Sequence, residues 1–135
     1  MSWESNIPWI FILTHGKAGE ELKNSAEMIL GPLEKVFVYS LLPGMSPENY
    51  ISKVKESLNG SPDGSIIMTD LFGGTPSNIA AMLSKDYNIS AVAGLNMAML
   101  IGADELRKEL RGEELAEAII SISKQACRNI VKVLN

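Results

Sequence analysis

Apolar positions along this chain fall into short blocks separated by charged, glycine-bearing and proline-bearing stretches, and the blocks alternate in kind. Trp9-Ile10-Phe11-Ile12-Leu13-Thr14 is a near-continuous apolar run, the pattern of a strand buried on both faces. Residues 18–30 place Leu22, Ala26, Met28, Ile29 and Leu30 among charges and read as a helix with an apolar face, closed by Gly31-Pro32. Val36-Phe37-Val38-Tyr39 reads as a second short strand. Pro43-Gly44 is a turn, and Ser46-Pro47-Glu48-Asn49 opens a helix with proline in its first turn. Asn59-Gly60 stops that helix after Leu58.

The alternation continues. Asp63-Gly64 turns into a third strand, Ser65-Ile66-Ile67-Met68-Thr69. Thr75-Pro76 reads as an N-cap with proline at the first helical position, before a helix over 77–84. Ser90 to Gly94 is a fourth strand, with Gly94-Leu95-Asn96 as its exit loop. Met97 to Leu110 is mostly helical, weakened at Gly102. Glu113 to Cys127 carries Leu115, Ala118, Ile119, Ile122 and Ala126 at helical spacing. The apolar tail 129–134 reads as one more strand.

Strands separated by helices imply an α/β fold: a doubly wound, mostly parallel four-stranded sheet with helices on both faces. The tail strand would sit at a sheet edge or pair with another subunit. No linker divides the chain, so residues 1–135 are expected to form one domain.

Composition narrows the function classes. Apolar residues make up 46% of the chain and charged residues 21%, ordinary globular usage. A formal net charge of −4, with no basic stripe, argues against a nucleic-acid partner. The single cysteine, Cys127, excludes an intramolecular disulfide, fits a reducing compartment and reads as a small buried hydrophobe on its helix. No apolar run approaches the roughly 20 residues of a membrane span, and the N-terminus lacks the basic start of a signal peptide. A soluble cytoplasmic protein is expected. Metal-ligand types do not cluster around His15, so no metal is expected, and no cofactor.

The candidate chemistry lies at the strand ends. His15, the only histidine, follows the first strand. Asp70 follows the third, ahead of Leu71-Phe72-Gly73-Gly74-Thr75-Pro76. Open α/β sheets bind ligands beyond the carboxyl ends of their strands. One imidazole nitrogen can attack phosphorus while the other keeps a proton, and a carboxylate such as Asp70 would fix that tautomer. Read alone, His15 is first a packed or solvated strand-end histidine and only second a reactive one, and Asp70 a helix or turn cap. The loop shifts the weight toward chemistry. Gly73 and Gly74 permit close backbone approach, and a helix N-terminus attracts anions, by about 0.3–1 kcal/mol per interaction. The Thr75 hydroxyl can donate to a phosphoryl oxygen, cap its helix, or do both. Gly16 and Asn96 are placed as loop contributors. Lys17, the nearby cation, reads as a solvated first-turn residue. Leu71 and Phe72 are packing residues or, on an exposed loop, an apolar docking rim. Neither a Walker loop nor a Gly-x-Gly-x-x-Gly is present.

Four segments carry a family resemblance: Ile12-Leu13-Thr14-His15-Gly16-Lys17-Ala18, Ala26-Glu27-Met28-Ile29-Leu30-Gly31, Thr69 to Ala80, and Ala93 to Leu100. In order and spacing they resemble the enzyme IIA domain of the mannose family (mannose, fructose and sorbose type) of the bacterial phosphoenolpyruvate-dependent sugar phosphotransferase system. The resemblance implies that His15 accepts a phosphoryl group from phospho-HPr and passes it to enzyme IIB, with membrane IIC and IID partners taking up the sugar. It implies Asp70 as the histidine's partner and Gly74 and Thr75 as phosphoryl contacts. It also implies a homodimer exchanging a C-terminal strand, and a cytoplasmic protein associated with the membrane through the transporter complex. Ala98 departs from the pattern, which usually has proline there. With no IIB segment after the tail, IIB is expected on a separate polypeptide. Two alternatives stand beside this reading: a regulatory module switched by phosphorylation of His15, and the phosphoryl-donor subunit of a dihydroxyacetone kinase.

Overall fold

A computed structural model describes residues 6–135. Four strands, β1 (Ile10–His15), β2 (Val36–Leu41), β3 (Ser65–Thr69) and β4 (Ile89–Ala93), form one sheet in the order β2-β1-β3-β4, and every pairing is parallel. The helices are α1 (Ala18–Leu30), α2 (Pro47–Leu58), α3 (Thr75–Leu83), α4 (Met97–Leu106), α5 (Gly112–Ala126) and α6 (Ile130–Leu134).

Side-chain alternation along β1 builds both halves of the core. Ile10 and Ile12 point to one face and pack with Ala26 of α1, Leu100 of α4 and Leu115 and Ile119 of α5. Phe11 and Leu13 point to the other and pack with Tyr50 and Val54 of α2 and Ile79 and Leu83 of α3. That double burial explains why β1 reads as an unbroken apolar run. From β1 the chain steps to β2 on one side, then returns across β1 to β3 on the other. The order therefore reverses between β1 and β3, where a crevice opens at the carboxyl edge.

The expected α/β architecture is present, with local corrections. The tail is a short helix, α6, and no residue of it is buried. It pairs with no strand among the described residues. Its backbone is satisfied locally instead, with the Asn129 side chain accepting from the Lys132 N–H at 3.1 Å. Cys127 is exposed at the end of α5 rather than buried, because the buried residues of that helix stop at Ile119. On α1 only Gly19 and Ala26 are buried, while Met28, Ile29 and Leu30 are exposed. Ile29 and Leu30 lie on the same side of α1 as Ala26 but one turn further on, and Ala26 is the last residue of the helix in the core. α4 ends at Leu106, earlier than its pattern suggests. Gly102 has a packing reason: a Cβ there would lie 3.2 Å from Ile122 Cδ1, so the missing side chain lets α5 approach.

Candidate functional site

His15 is the last residue of β1, and Asp70 follows directly on β3. Neighbouring parallel strands bring them together. Asp70 Oδ2 accepts from the His15 backbone N–H at 2.9 Å and pairs with His15 Nδ1 at 2.9 Å. A carboxylate only accepts, so Nδ1 carries the proton and, in the neutral ring, Nε2 is left with its lone pair. The His15 side chain is 48% exposed, so Nε2 is within reach of a reactant, and Asp70 beneath it is 24% exposed. Asp70 Oδ1 is buried with no hydrogen-bond partner among the described residues. Burial pushes the Asp70 carboxyl up, yet the His15 N–H, the imidazole hydrogen bond and its charge outweigh that and hold it below its ordinary value. Behind it, burial first, then the charges of Asp70 and Tyr39, push the Tyr50 hydroxyl well up, so Tyr50 stays neutral and donates to the Tyr39 carbonyl at 2.6 Å.

The glycine loop lies against the ring. A Cβ on Gly74 would sit 2.7 Å from His15 Cε1 and 3.3 Å from Nε2, so only glycine allows this approach. Gly73 has φ +85°, in a turn closed by the Gly74 N–H donating to the Leu71 carbonyl at 3.2 Å. Gly74, not Thr75, is the N-cap of α3. Thr75 and Pro76 are already helical, so the Thr75 hydroxyl makes no capping bond and is exposed. Asn78 is the first amide of the helix to bond back, to the Gly74 carbonyl at 2.9 Å. The amides of Thr75 and Ser77 precede that bond, at the positive end of the helix dipole.

Other expected contributors have structural roles. Gly16 takes φ +58° and donates its N–H to the Leu41 carbonyl at 2.8 Å, turning the chain away from β1. Asn96 caps α4, accepting from the Met99 N–H at 2.9 Å, and its amide donates to Gly94 and Ser123, so its side chain is committed away from His15. Lys17 is exposed, as expected. Leu71 and Phe72 are 60% and 88% exposed.

Two braces escaped the sequence reading. Thr14, fully buried, accepts from the Gly19 N–H at 3.0 Å and donates to the Gly16 carbonyl at 3.2 Å, standing in for the cap that Lys17 does not supply to α1. Ser77 Oγ donates to the Leu71 carbonyl at 2.6 Å and contacts Thr69 Oγ1 at 2.6 Å. The available signal was a threonine directly before both His15 and Asp70. A separate cavity lined by Ile7, Glu34, Lys35, Asp104 and Arg107 lies at the amino ends of the strands. Its Arg107 is spent on the carbonyls of Pro8, Glu34 and Lys35 and on Asp104, a structural clamp. No group of three or more metal-ligating side chains occurs among the described residues.

Known proteins resemble this chain in sequence and in fold. The family model described as PTS system fructose IIA component matches residues 9–120. The PTS system mannose-specific EIIAB component of Escherichia coli (strain K12) is 30% identical over 128 residues, which cover 93% of this chain and 39% of that protein. The chain thus spans about two fifths of that relative's length. Phosphotransferase system component EIIA from Streptococcus agalactiae superposes with a TM-score of 0.86 at 27% identity, covering 92% of this chain and 98% of that one. The mannose/sorbose specific IIA subunit from Enterococcus faecalis gives a TM-score of 0.82 at 30% identity, covering 90% and 93%. Matched over most of its length in both sequence and fold, the chain belongs to the family of PTS system fructose IIA components, proteins of the sugar phosphotransferase system.

Proposed function

We propose that His15 is a phosphoryl carrier that accepts its group from phospho-HPr and hands it to enzyme IIB. The observation that carries this reading is the pairing of Nδ1 with Asp70, which leaves Nε2 as the nucleophile facing Gly74. In the transfer, Nε2 attacks phosphorus in line with the donor bond. The Nε2–P bond forms as the donor–P bond breaks, and that electron pair leaves on the donor. The Nδ1 proton stays in place, and the Asp70 carboxylate offsets the positive charge that develops on the ring. Transfer to IIB reverses the sequence with IIB as nucleophile. The phosphoryl oxygens would meet the amides of the 73–77 segment and the Thr75 hydroxyl. Among the described residues, that segment (73–77) carries no lysine or arginine, which suits release more than retention.

Leu71 and Phe72 form an apolar rim at which HPr and IIB would dock in turn. Phe72 also edges a shallow groove over Ala80, Ala81, Ala91 and Ala93. A homodimer, a cytoplasmic location and an indirect link to membrane IIC and IID subunits complete the reading. No helix of the described residues is long and apolar enough to cross a membrane.

The test is intact-mass spectrometry at mildly alkaline pH after incubation with phosphoenolpyruvate, enzyme I and HPr. One acid-labile phosphoryl adduct, absent from His15→Ala, is expected. No adduct while a control IIA is labelled in the same mixture would sink the proposal.

A further inference from the structure

Beyond His15 and Asp70, a pair of hydroxyls fixes where the glycine loop sits. Ser77 Oγ lies 2.6 Å from the Leu71 carbonyl, which can only accept, so the single Ser77 proton is committed there. Ser77 Oγ is also 2.6 Å from Thr69 Oγ1, so in that contact Thr69 must be the donor. The order of protons is thus determined: Thr69 O–H to Ser77 Oγ, then Ser77 O–H to the Leu71 carbonyl. That carbonyl also accepts the Gly74 N–H at 3.2 Å, so both of its lone pairs are used. Thr69 is 1% exposed and its own carbonyl accepts the Leu95 N–H at 2.9 Å, so the relay starts from a fixed point in the sheet. It ends on the turn that lays Gly74 against the imidazole.

We infer that Thr69 and Ser77 are positioning residues. They hold the 71–75 segment in its phosphoryl-accepting shape before any reactant arrives. Neither touches His15. Their effect is to spare the loop an ordering step during transfer, where a misplacement of about 1 Å can cost on the order of 10²-fold in rate. The role in transfer rests on the phosphocarrier reading, whereas the brace itself does not.

Two variants and two readouts test it. Ser77→Ala removes the central hydroxyl, and Thr69→Val removes the donor while keeping the shape. Backbone ¹⁵N relaxation at Gly73 and Gly74 reports the brace without any reaction. The rate of His15 phosphorylation, measured across phospho-HPr concentration, reports the consequence. Both variants should loosen the two glycines and slow the rate at saturating donor roughly tenfold. The half-saturating concentration should stay within about twofold, and Thr69→Ser should restore both readouts. Wild-type relaxation in Ser77→Ala would overturn the brace. Loosened glycines with an unchanged saturating rate would overturn the positioning role, as would failure of Thr69→Ser to restore the rate. If the wild-type chain accepts no phosphoryl group, the carrier reading fails and takes the role in transfer with it. The relaxation data separate that result from a failure of the brace.

Discussion

Asp70 binds His15 twice through one oxygen: Oδ2 takes the backbone N–H and faces Nδ1, each at 2.9 Å. The backbone bond anchors the carboxylate to the end of β1, and the side-chain bond then orients the ring. Because the pairing spans two adjacent strands, the sheet itself sets its geometry.

Replacing Asp70 by asparagine keeps the shape and removes the charge. The amide can still accept from the His15 N–H, so the fold should persist. The charge that offsets a cationic imidazole is lost, and the amide can turn its NH₂ toward Nδ1 and favour the other tautomer. Phosphorylation of His15 should slow by about 10²-fold or more. Rapid-quench labelling gives the rate, and ¹⁵N shifts of the imidazole nitrogens give the tautomer. A wild-type rate would remove Asp70 from the mechanism.

Acid should destabilise the protein through the same pair. The folded Asp70 carboxyl titrates below its ordinary value of 3.8. Its contribution to stability is therefore fully present above that value and lost as pH falls through the lower folded one. Urea melts between neutral pH and strongly acidic pH should show wild type losing stability below about pH 4 more steeply than Asp70→Asn. Parallel curves would show that the pair contributes no acid sensitivity.

Adjacent glycines should fail in different ways. Gly74 has φ −80° and ψ 171°, a conformation open to alanine, but a Cβ would meet His15 Cε1 at 2.7 Å. Gly74→Ala should melt near wild type and lose most of its phosphoryl uptake. Gly73 has φ +85° with nothing within 4 Å of a Cβ. Gly73→Ala should cost about 1–2 kcal/mol of stability from backbone strain. Denaturant melts beside a labelling assay would distinguish them, and equal stability loss in both would contradict this division.

Caps and ligands can be separated at Thr75 and Asn96. Thr75 caps nothing, so Thr75→Ala should change stability by less than about 0.5 kcal/mol while shortening the phosphohistidine lifetime. Asn96 is a working cap, so Asn96→Ala should cost about 1 kcal/mol and leave that lifetime unchanged. Chemical denaturation and the decay of isolated phosphoprotein measure both. A normal lifetime in Thr75→Ala would take Thr75 out of the phosphoryl site.

What the chain determined by itself is local. Strand β1 is legible because burial on both faces demands an unbroken apolar run, and α2 because Ser46, Pro47 and Asn59 mark its ends. That His15 and Asp70 each end a strand is legible too, but their pairing is not: only the observed order β2-β1-β3-β4 sets β1 beside β3 and brings the two side chains together. Tertiary structure decided everything that depends on distance between segments. It moved the α3 cap from Thr75 to Gly74, because the turn closing on Leu71 sets where the helix begins. It exposed Met28, Ile29 and Leu30, because a helix face is chosen by what packs on it and not by its apolar content. It made the tail a helix, because a strand needs a neighbour to receive its hydrogen bonds and none among the described residues pairs with it. It also joined Thr69 to Ser77, eight residues apart, through hydroxyls whose partners no spacing rule predicts.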